Sequence, residues 1–312
     1  MNLIDIFLPL ASIFFVFILG IGIISVVNKI TSLVNISSFL FSYFVLGCLT
    51  TMAEISVGIH SIIDDKDSVF VGNLAGGIIF LITFLIPLIG IFSGEIKIYK
   101  SVKKDNLVYL LGYLLLPFLL ILDNEVNILD AIFLIISYIV MSLKLSREDI
   151  DSEKINYIFS SNLIKKLILW TIVLFILILG LMYVSNYVVD LIVKWANGIG
   201  KSYFDFSFLL LPVITNMPEM VIAIVSLLKK QKSVAIGNYL GSSTFNAFLI
   251  GILSMFAGQV FLNTNPFLIF IFFLFMLILI YFFMDSENKL TRKESFILLI
   301  FSLIFICIEI FI

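Results

Sequence analysis

Long apolar runs separated by short polar turns make up most of this chain of 312 residues. About 20 apolar residues in a helix cross the hydrocarbon core of a bilayer, which is about 30 Å thick. Ten runs approach or exceed that length, near residues 6–28, 36–62, 69–94, 106–122, 128–145, 166–188, 206–228, 233–257, 264–284 and 294–312. The pattern therefore predicts an all-α membrane protein of about ten transmembrane helices.

Composition and the placement of charge agree with this pattern. Only 13% of the residues are charged, against roughly 25% in an ordinary soluble domain. With the N-terminus placed outside, the cytoplasmic loops hold all of the 19 Lys and Arg residues except Lys66, Lys194 and Lys201. Because cytoplasmic loops are enriched in these residues, we expect an outside N-terminus and a cytoplasmic central linker. The compact loops and the composition rich in Ile, Phe, Lys and Asn lead us to expect a prokaryotic plasma-membrane location. The first span lacks a basic leader and a small-residue cleavage site, so we expect it to be retained.

One long polar stretch, from Lys144 to Lys166, divides the spans into five plus five. We expect a first transmembrane unit at residues 1–145, a cytoplasmic linker at 146–165 and a second transmembrane unit at 166–312. The linker is too short for a regulatory domain.

The two halves carry an internal repeat. Residues 50–81 align with residues 215–246 without a gap, and 11 of the 32 pairs are identical. We call the displacement that carries position 50 onto position 215 the repeat offset. Five spans, an odd number, separate the two copies, so the copies must be inverted across the membrane. The turn at 64–67 is acidic and the turn at 229–232 is basic, as inversion and the positive-inside rule require. Inverted repeats with polar residues at mid-membrane are typical of secondary transporters.

Two glutamates, Glu54 and Glu219, occupy matched positions deep within apolar spans of the two copies. A carboxylate at this depth is costly unless a cation, a proton or water is available to it. A protonated glutamate that holds helices together is the alternative, and its recurrence in both copies makes that alternative the weaker one. Carboxylate oxygens suit calcium or sodium better than they suit soft metals. The pair is therefore the candidate centre of a cation site.

Other polar side chains recur around each glutamate, one turn before it and again in the following span. Pro218 frees a backbone carbonyl upstream of Glu219, and a broken helix at this depth is tolerated where it lines a cavity. The first copy has Gly77 and Leu81 where the second has polar residues, so the predicted site is lopsided. For the hydroxyl groups, bonding within their own helix is the alternative. The candidate cation-binding residues are the two glutamates with Thr50, Thr51, Asn73, Thr215, Asn216, Asn238, Ser242 and Asn246.

The paired motifs resemble the α-repeats of the cation/calcium exchanger superfamily, which includes sodium/calcium exchangers. Residues 49–54 and 214–219 are similar to its G-T-S-L-P-E motif, and residues 72–81 and 237–246 are similar to G-N-x-x-G-S-N-x-x-N/D. The resemblance implies sodium positions beside a central calcium position, and first and sixth spans that slide as a gate. It implies that the calcium ligands are Glu54, Glu219, Thr50 and Thr215.

This chain departs from the family pattern at several positions of these motifs. Ala53 replaces a proline, Asn216 replaces a serine, and Gly77 and Leu81 replace polar ligands. We expect these changes to weaken or remove a sodium position on the side of the first repeat, which leaves the stoichiometry and the coupling ion open.

Antiport of calcium against sodium at one alternately exposed site is the function that we expect. Exchange of calcium, or of another divalent cation, for protons is an alternative, since two buried carboxylates repel each other and can hold a proton. A degenerate homologue that no longer transports is another. A single histidine, His60, excludes a His-Glu-x-x-His metalloprotease motif, and we expect no enzymatic activity. We expect small inorganic cations, Ca²⁺ and Na⁺, and the lipid bilayer as partners, with no nucleic acid and no cofactor.

Overall fold

The computed structural model describes residues 3–34, 37–97, 104–152, 161–196, 203–262 and 264–311. This part of the chain is almost entirely helical, as the long apolar runs predict. Its α-helices are α1 (Leu3–Val34), α2 (Ser38–Phe41), α3 (Gly47–Thr50), α4 (Met52–Ile63), α5 (Ser68–Ile79), α6 (Ile86–Ser93), α7 (Lys104–Leu120), α8 (Ile128–Ser152), α9 (Ser161–Ala196), α10 (Tyr203–Leu209), α11 (Leu211–Thr215), α12 (Met217–Leu228), α13 (Lys232–Ala257), α14 (Pro266–Glu287) and α15 (Arg292–Phe311). Two π-helical segments, Ser42–Leu46 and Phe80–Leu85, join α2 to α3 and α5 to α6, and a 3₁₀ turn, Ile121–Asp123, follows α7.

Each of the ten predicted spans overlaps one helix or one run of consecutive helices. Within the described residues, six helical stretches are long and apolar enough by themselves to cross a bilayer. The bent pair Ser207–Val213 and Met217–Leu228 makes a seventh if it is counted as one span. The prediction of an all-α membrane protein is confirmed. The six stretches are Ser38–Ile63, Ser68–Ser93, Lys104–Asp123, Ile128–Ser146, Lys232–Ala257 and Pro266–Ser286.

Four two-residue strands show that the repeat extends well beyond residues 50–81. Strand β1 (Glu95–Ile96) pairs with β4 (Leu290–Thr291), and β2 (Glu125–Val126) pairs with β3 (Val260–Phe261), both antiparallel. The repeat offset carries β1 onto β3 and β2 onto β4. Each small sheet therefore takes one strand from each half of the chain. Because α7 separates β1 from β2, and α14 separates β3 from β4, the two sheets lie at opposite ends of the helix bundle.

The turns inside the two copies also share one backbone geometry despite their opposite charges. Asp65 and Lys230, which the repeat offset relates, both have positive φ, 54° and 56°. The turns close with matching hydrogen bonds, from the Lys66 N–H to the Ser61 carbonyl at 2.8 Å and from the Gln231 N–H to the Ser226 carbonyl at 2.7 Å.

Glycines bring the helices of the two copies into direct backbone contact. A Cβ atom on Gly76 of α5 would lie 2.1 Å from the carbonyl oxygen of Phe208 in α10. A Cβ atom on Gly241 of α13 would lie 2.1 Å from the carbonyl oxygen of Tyr43. The small-residue pattern therefore packs each copy against the span that carries the other copy's glutamate, as small residues do between membrane helices.

Buried apolar side chains form two clusters around these contacts. The larger cluster fills the middle of the bundle and includes Phe70 and Ile250. The smaller one, which includes Ile23 and Leu174, lies where α1 packs along α9 and α12.

The predicted linker at 146–165 includes the end of α8, which runs to Ser152, and the start of α9, which begins at Ser161. Residues 153–160 lie outside the described residues. The division into units at 1–145 and 166–312 stays a prediction.

Candidate functional site

Two helix breaks at matched positions of the repeat place the glutamates. The helices are interrupted at Thr51, with φ −80° and ψ 12°, and at Asn216, with φ −88° and ψ 16°. Each break lies three residues before a glutamate, so Glu54 and Glu219 stand in the first turns of α4 and α12. Backbone N–H groups in a first turn have no partner within the helix, which favours negative charge there.

The break does not depend on proline. Proline stands next to the glutamate only in the second copy, at Pro218, whereas Ala53 occupies that position in the first. In both copies the residue at the break donates a side-chain hydrogen bond to an upstream carbonyl. The Thr51 hydroxyl donates to Cys48 at 2.9 Å, and the Asn216 amide donates to Pro212 at 2.9 Å. Pro218 instead accompanies a larger bend, 46° between the segments on either side.

The two carboxylates are fully buried and close enough for their charges to repel each other. Among the described residues, no hydrogen-bond partner of ordinary geometry reaches either oxygen of Glu54 or the Oε2 atom of Glu219. The Oε1 atom of Glu219 accepts a hydrogen bond from Ser242 at 3.2 Å. The salt bridges of the described residues are all made by other carboxylates. Buried carboxylates in this arrangement need a bound cation or protons.

Hydroxyl and amide groups from both copies surround the glutamates, and a threonine of the opposite copy lies beside each one. The Thr50 hydroxyl contacts Ser242 Oγ at 3.2 Å and Asn238 Oδ1 at 3.4 Å. The Thr215 hydroxyl donates to Asn73 Oδ1 at 3.3 Å. Each threonine also donates to a carbonyl one turn earlier, at 2.9 Å for Leu46 and 3.1 Å for Leu211. The hydroxyls of Thr215 and Thr50 lie beside the carboxylates of Glu54 and Glu219 respectively.

All ten candidate residues are buried in this region, Thr215 with 5% exposure and the other nine with none. Thr51 is turned toward the Cys48 carbonyl, so its hydroxyl stabilises the helix break. Asn246 stands apart from the hydrogen-bonded groups, since neither of its polar side-chain atoms has a partner among the described residues.

The lopsidedness expected from the sequence has a structural counterpart at Gly77. A Cβ atom there would lie 2.7 Å from the Asn246 amide nitrogen and 3.4 Å from that of Asn216. Amides of the second copy therefore occupy the space beside this glycine. The nearby Leu81 is fully buried and contributes no oxygen.

Gly47 is a contributor that the sequence did not reveal. A Cβ atom on Gly47 would lie 2.7 Å from the backbone nitrogen of Ser242. Because glycine has no Cβ atom, α3 can pack directly against α13. The Gly47 carbonyl accepts a hydrogen bond from Ser242 at 3.4 Å. Comparison of the copies could not identify it, because the matched residue of the second copy is Pro212.

A cavity of about 300 Å³ lies along α4, in the residues that follow Glu54. Its lining includes His60, Asp64 and Lys66, and it extends along the helix to Ser56, two residues after Glu54. His60 is exposed, and its Nδ1 atom lies 2.7 Å from the Ser56 carbonyl, consistent with a position near the membrane surface. Within the described residues no group of three or more His, Cys, Asp and Glu side chains is placed to hold a metal ion.

Comparison with known proteins gives a family match and a set of similar structures. A family model described as sodium/calcium exchanger protein matches residues 6–145 and 169–311. The solved structure of the sodium–calcium exchanger NCX_Mj soaked with 2.5 mM Na⁺ and 1 mM Sr²⁺ superimposes with a TM-score of 0.80, at 17% identity, covering 97% of this chain and 98% of that one. The same exchanger soaked with zero Na⁺ and Ca²⁺ gives a TM-score of 0.77 at the same identity and coverage. Comparison with curated protein sequences gives no significant match. At this identity, the likeness to the solved structures shows the fold.

Proposed function

Because this chain belongs to the sodium/calcium exchanger family, whose model matches most of its length, we propose that it is a secondary active antiporter. It exchanges calcium for sodium at one central site between Glu54 and Glu219. The two inverted halves expose this site alternately to the two sides of the membrane. The protein lies in the plasma membrane, with its N-terminus outside and its linker in the cytoplasm.

One observation carries the proposal: two buried carboxylates from opposite copies lie close together with three of their four oxygens unpartnered among the described residues. Two negative charges balance one calcium ion or two sodium ions. An empty site leaves the repulsion uncompensated in a medium where charge is poorly solvated. The site therefore changes from one side of the membrane to the other only with cations bound, which couples the two ion fluxes.

Oxygen ligands for the central calcium come from the two glutamates and from Thr50 and Thr215. Calcium takes six to eight oxygen ligands, so backbone carbonyls freed at the helix breaks contribute as well. The remaining candidates provide sodium positions or hold the ligands in place. They are Thr51, Asn73, Asn216, Asn238, Ser242 and Asn246.

Calcium uptake into vesicles that contain the purified protein tests this proposal. An outward sodium gradient is expected to drive uptake by the native chain. Glu54→Gln and Glu219→Gln are each expected to lower uptake by at least about 100-fold, since removing one partner of a buried charged group costs about 3 kcal/mol or more. Glu125→Gln is the matched control, because this carboxylate bonds to Gln259 at the end of the bundle, away from the site. Full uptake by either glutamate variant would show that the site is elsewhere.

Proton coupling is the second candidate, and the surroundings of Glu54 favour it. Its oxygens have no partner among the described residues, while Gly77 and Leu81 offer no oxygen for a sodium ion. A pH gradient imposed on sodium-free vesicles is then expected to drive calcium uptake, and a sodium gradient at constant pH is not. Native protein that transports under neither gradient would identify a degenerate homologue.

A further inference from the structure

An apolar cavity of about 280 Å³ lies between α5, the π-helical segment Phe80–Leu85, α10, α11 and α15. Its floor is closed, since Phe208 and Phe305 are each 4% exposed and Thr83 is 1% exposed. Its rim is open, since Val213 and Ile310 are 40% and 48% exposed. The cavity is therefore a pocket in the side of the bundle that opens toward the bilayer.

At the matching place in the other half of the molecule, larger side chains pack against their neighbours. The repeat offset relates Thr83 to Phe248 and Tyr43 to Phe208. The Tyr43 hydroxyl reaches Thr244 Oγ1 at 2.7 Å, and the Phe248 ring stacks on Tyr138 with centroids 4.6 Å apart. The fold can thus fill this space with aromatic side chains. In the cavity, the smaller side chains of Thr83 and Phe208 leave this space unfilled.

The backbone around the cavity is held so that it does not collapse. The Thr83 carbonyl, in the π-helical segment, accepts a hydrogen bond from Ser302 of α15 at 2.6 Å. The contact of Gly76 with the Phe208 carbonyl fixes the opposite wall. A persistent apolar void costs free energy in proportion to its volume. An apolar occupant removes that cost.

We propose that this cavity binds one acyl chain of a bilayer phospholipid. The rim is continuous with the outward face of α15, where Leu303, Ile304 and Ile308 are 46%, 48% and 41% exposed. Lipid chains cover such a face, and a chain is as apolar as the leucine side chains around it. The polar side chains of the wall are already engaged, since Asp205 accepts a hydrogen bond from Thr264 at 3.0 Å and Ser302 donates to Thr83.

The occupant would contact the helix that leads into the ion site. Phe208 and Pro212 line the cavity, and Pro212 accepts the hydrogen bond from Asn216 at the helix break. The acyl chain therefore supports the bent span of the second copy, where Tyr43 and Phe248 support the corresponding span of the first.

Photolabelling tests the site directly. The full-length protein is placed in phosphatidylcholine vesicles that contain a phosphatidylcholine with a diazirine near the end of one acyl chain. Illumination is expected to label Val213 and the 305–306 segment several-fold more than Phe282, which is 65% exposed on α14. Labelled positions are identified by mass spectrometry of peptides.

Two filling variants and one matched control decide the outcome. Thr83→Phe, which copies the residue of the other half, is expected to reduce labelling of the cavity several-fold and leave Phe282 unchanged. Thr83→Ser keeps the cavity and is expected to label like the native chain. Val213→Trp at the exposed rim narrows the mouth and gives the same test if Thr83→Phe does not fold. Native labelling of the cavity no stronger than that of Phe282, or labelling unchanged in the filled variants, would overturn the proposal. The readout is independent of ion exchange.

Discussion

In the second repeat Ser242 donates a hydrogen bond to Glu219, whereas the equivalent residue of the first repeat, Gly77, offers Glu54 no donor. The backbones of the two repeats nevertheless match in their helix breaks, their turns and their strand pairing. The two halves thus share these backbone features while the ligands on them differ. A repeated backbone therefore does not require a symmetric site, and the ion positions beside Glu54 and Glu219 need not be equivalent.

The largest effect is expected at the glycine contacts between crossing helices, which are alike in the two repeats. Gly76→Ala and Gly241→Ala each place a Cβ atom 2.1 Å from a backbone carbonyl oxygen, which cannot move as a flexible side chain does. Each variant is expected to lose about 3 kcal/mol of folding free energy. The measurement is the yield of folded protein and its melting temperature in detergent.

A third glycine provides the control for this pair. Gly112 of α7 has no atom within 4 Å of an added Cβ. Gly112→Ala is expected to be neutral or slightly stabilising, because alanine has the higher helix propensity. If Gly76→Ala were tolerated and Gly241→Ala were not, the two crossings would not be equivalent.

Ser242 is a residue at which the two repeats differ, since Gly77 takes its place in the first. Ser242→Ala removes the hydrogen bond to Glu219, and a bond to a charged group contributes about 1.5 kcal/mol, so calcium affinity is expected to fall about tenfold. Ser243→Ala is the matched control, since that hydroxyl donates to the Tyr239 carbonyl at 2.7 Å. Calcium titration of the purified protein measures both. Equal affinities for the two variants would remove Ser242 from the site.

Sequence patterns predicted the architecture because long apolar runs and positional identities are properties of the chain alone. The ten spans follow from run length, and the repeat offset locates the matched glutamates. The same offset correctly carries β1 onto β3, although those residues were not part of the aligned motif.

Contacts between different spans could not be predicted in this way. That Asn246 lies against Gly77 depends on how α5 and α13 cross, which no pattern along one helix specifies. The contribution of Gly47 is hidden because its repeat partner is a proline. The sequence also did not predict the helix break at Thr51, since the first copy has Ala53 where the second copy has Pro218. The assignment of the ten polar residues to ion positions stays a prediction.

Proline exchange between the copies should have a modest effect. Because the first repeat breaks without proline, Pro218→Ala is expected to keep the break and change the transport rate by no more than about threefold. Ala53→Pro is expected to be tolerated, since the second residue of α4 needs no N–H partner within the helix. Ile55→Pro is the contrast, because its N–H donates to the Thr51 carbonyl at 3.1 Å. Transport rates in vesicles measure all three, and complete inactivity of Pro218→Ala would show that the proline itself maintains the break.

The smallest expected effect concerns the oppositely charged turns, where Asp67 and Lys232 occupy matched positions. Lys232 donates to the carbonyls of Ser93 and Glu95 at 2.9 and 3.0 Å, whereas the Oδ1 atom of Asp67 has no partner among the described residues. Burial, and then the neighbouring Asp65, raise the pKa of Asp67. A raised folded-state pKa means that stability is highest below the unfolded-state pKa and is lost as pH rises through the folded-state value.

Asp67→Asn removes this charge and is therefore expected to raise the melting temperature by about 1–2 °C at pH 7. At pH 3, where the native carboxyl is already protonated, the expected difference is close to zero. Asp64→Asn, at an exposed position of the same turn, is expected to change little at either pH. Melting curves at the two pH values measure the effect. An equal gain at both pH values would mean that the side-chain amide, and not the loss of charge, stabilises the turn, so the inverted turns would differ in hydrogen bonding alone.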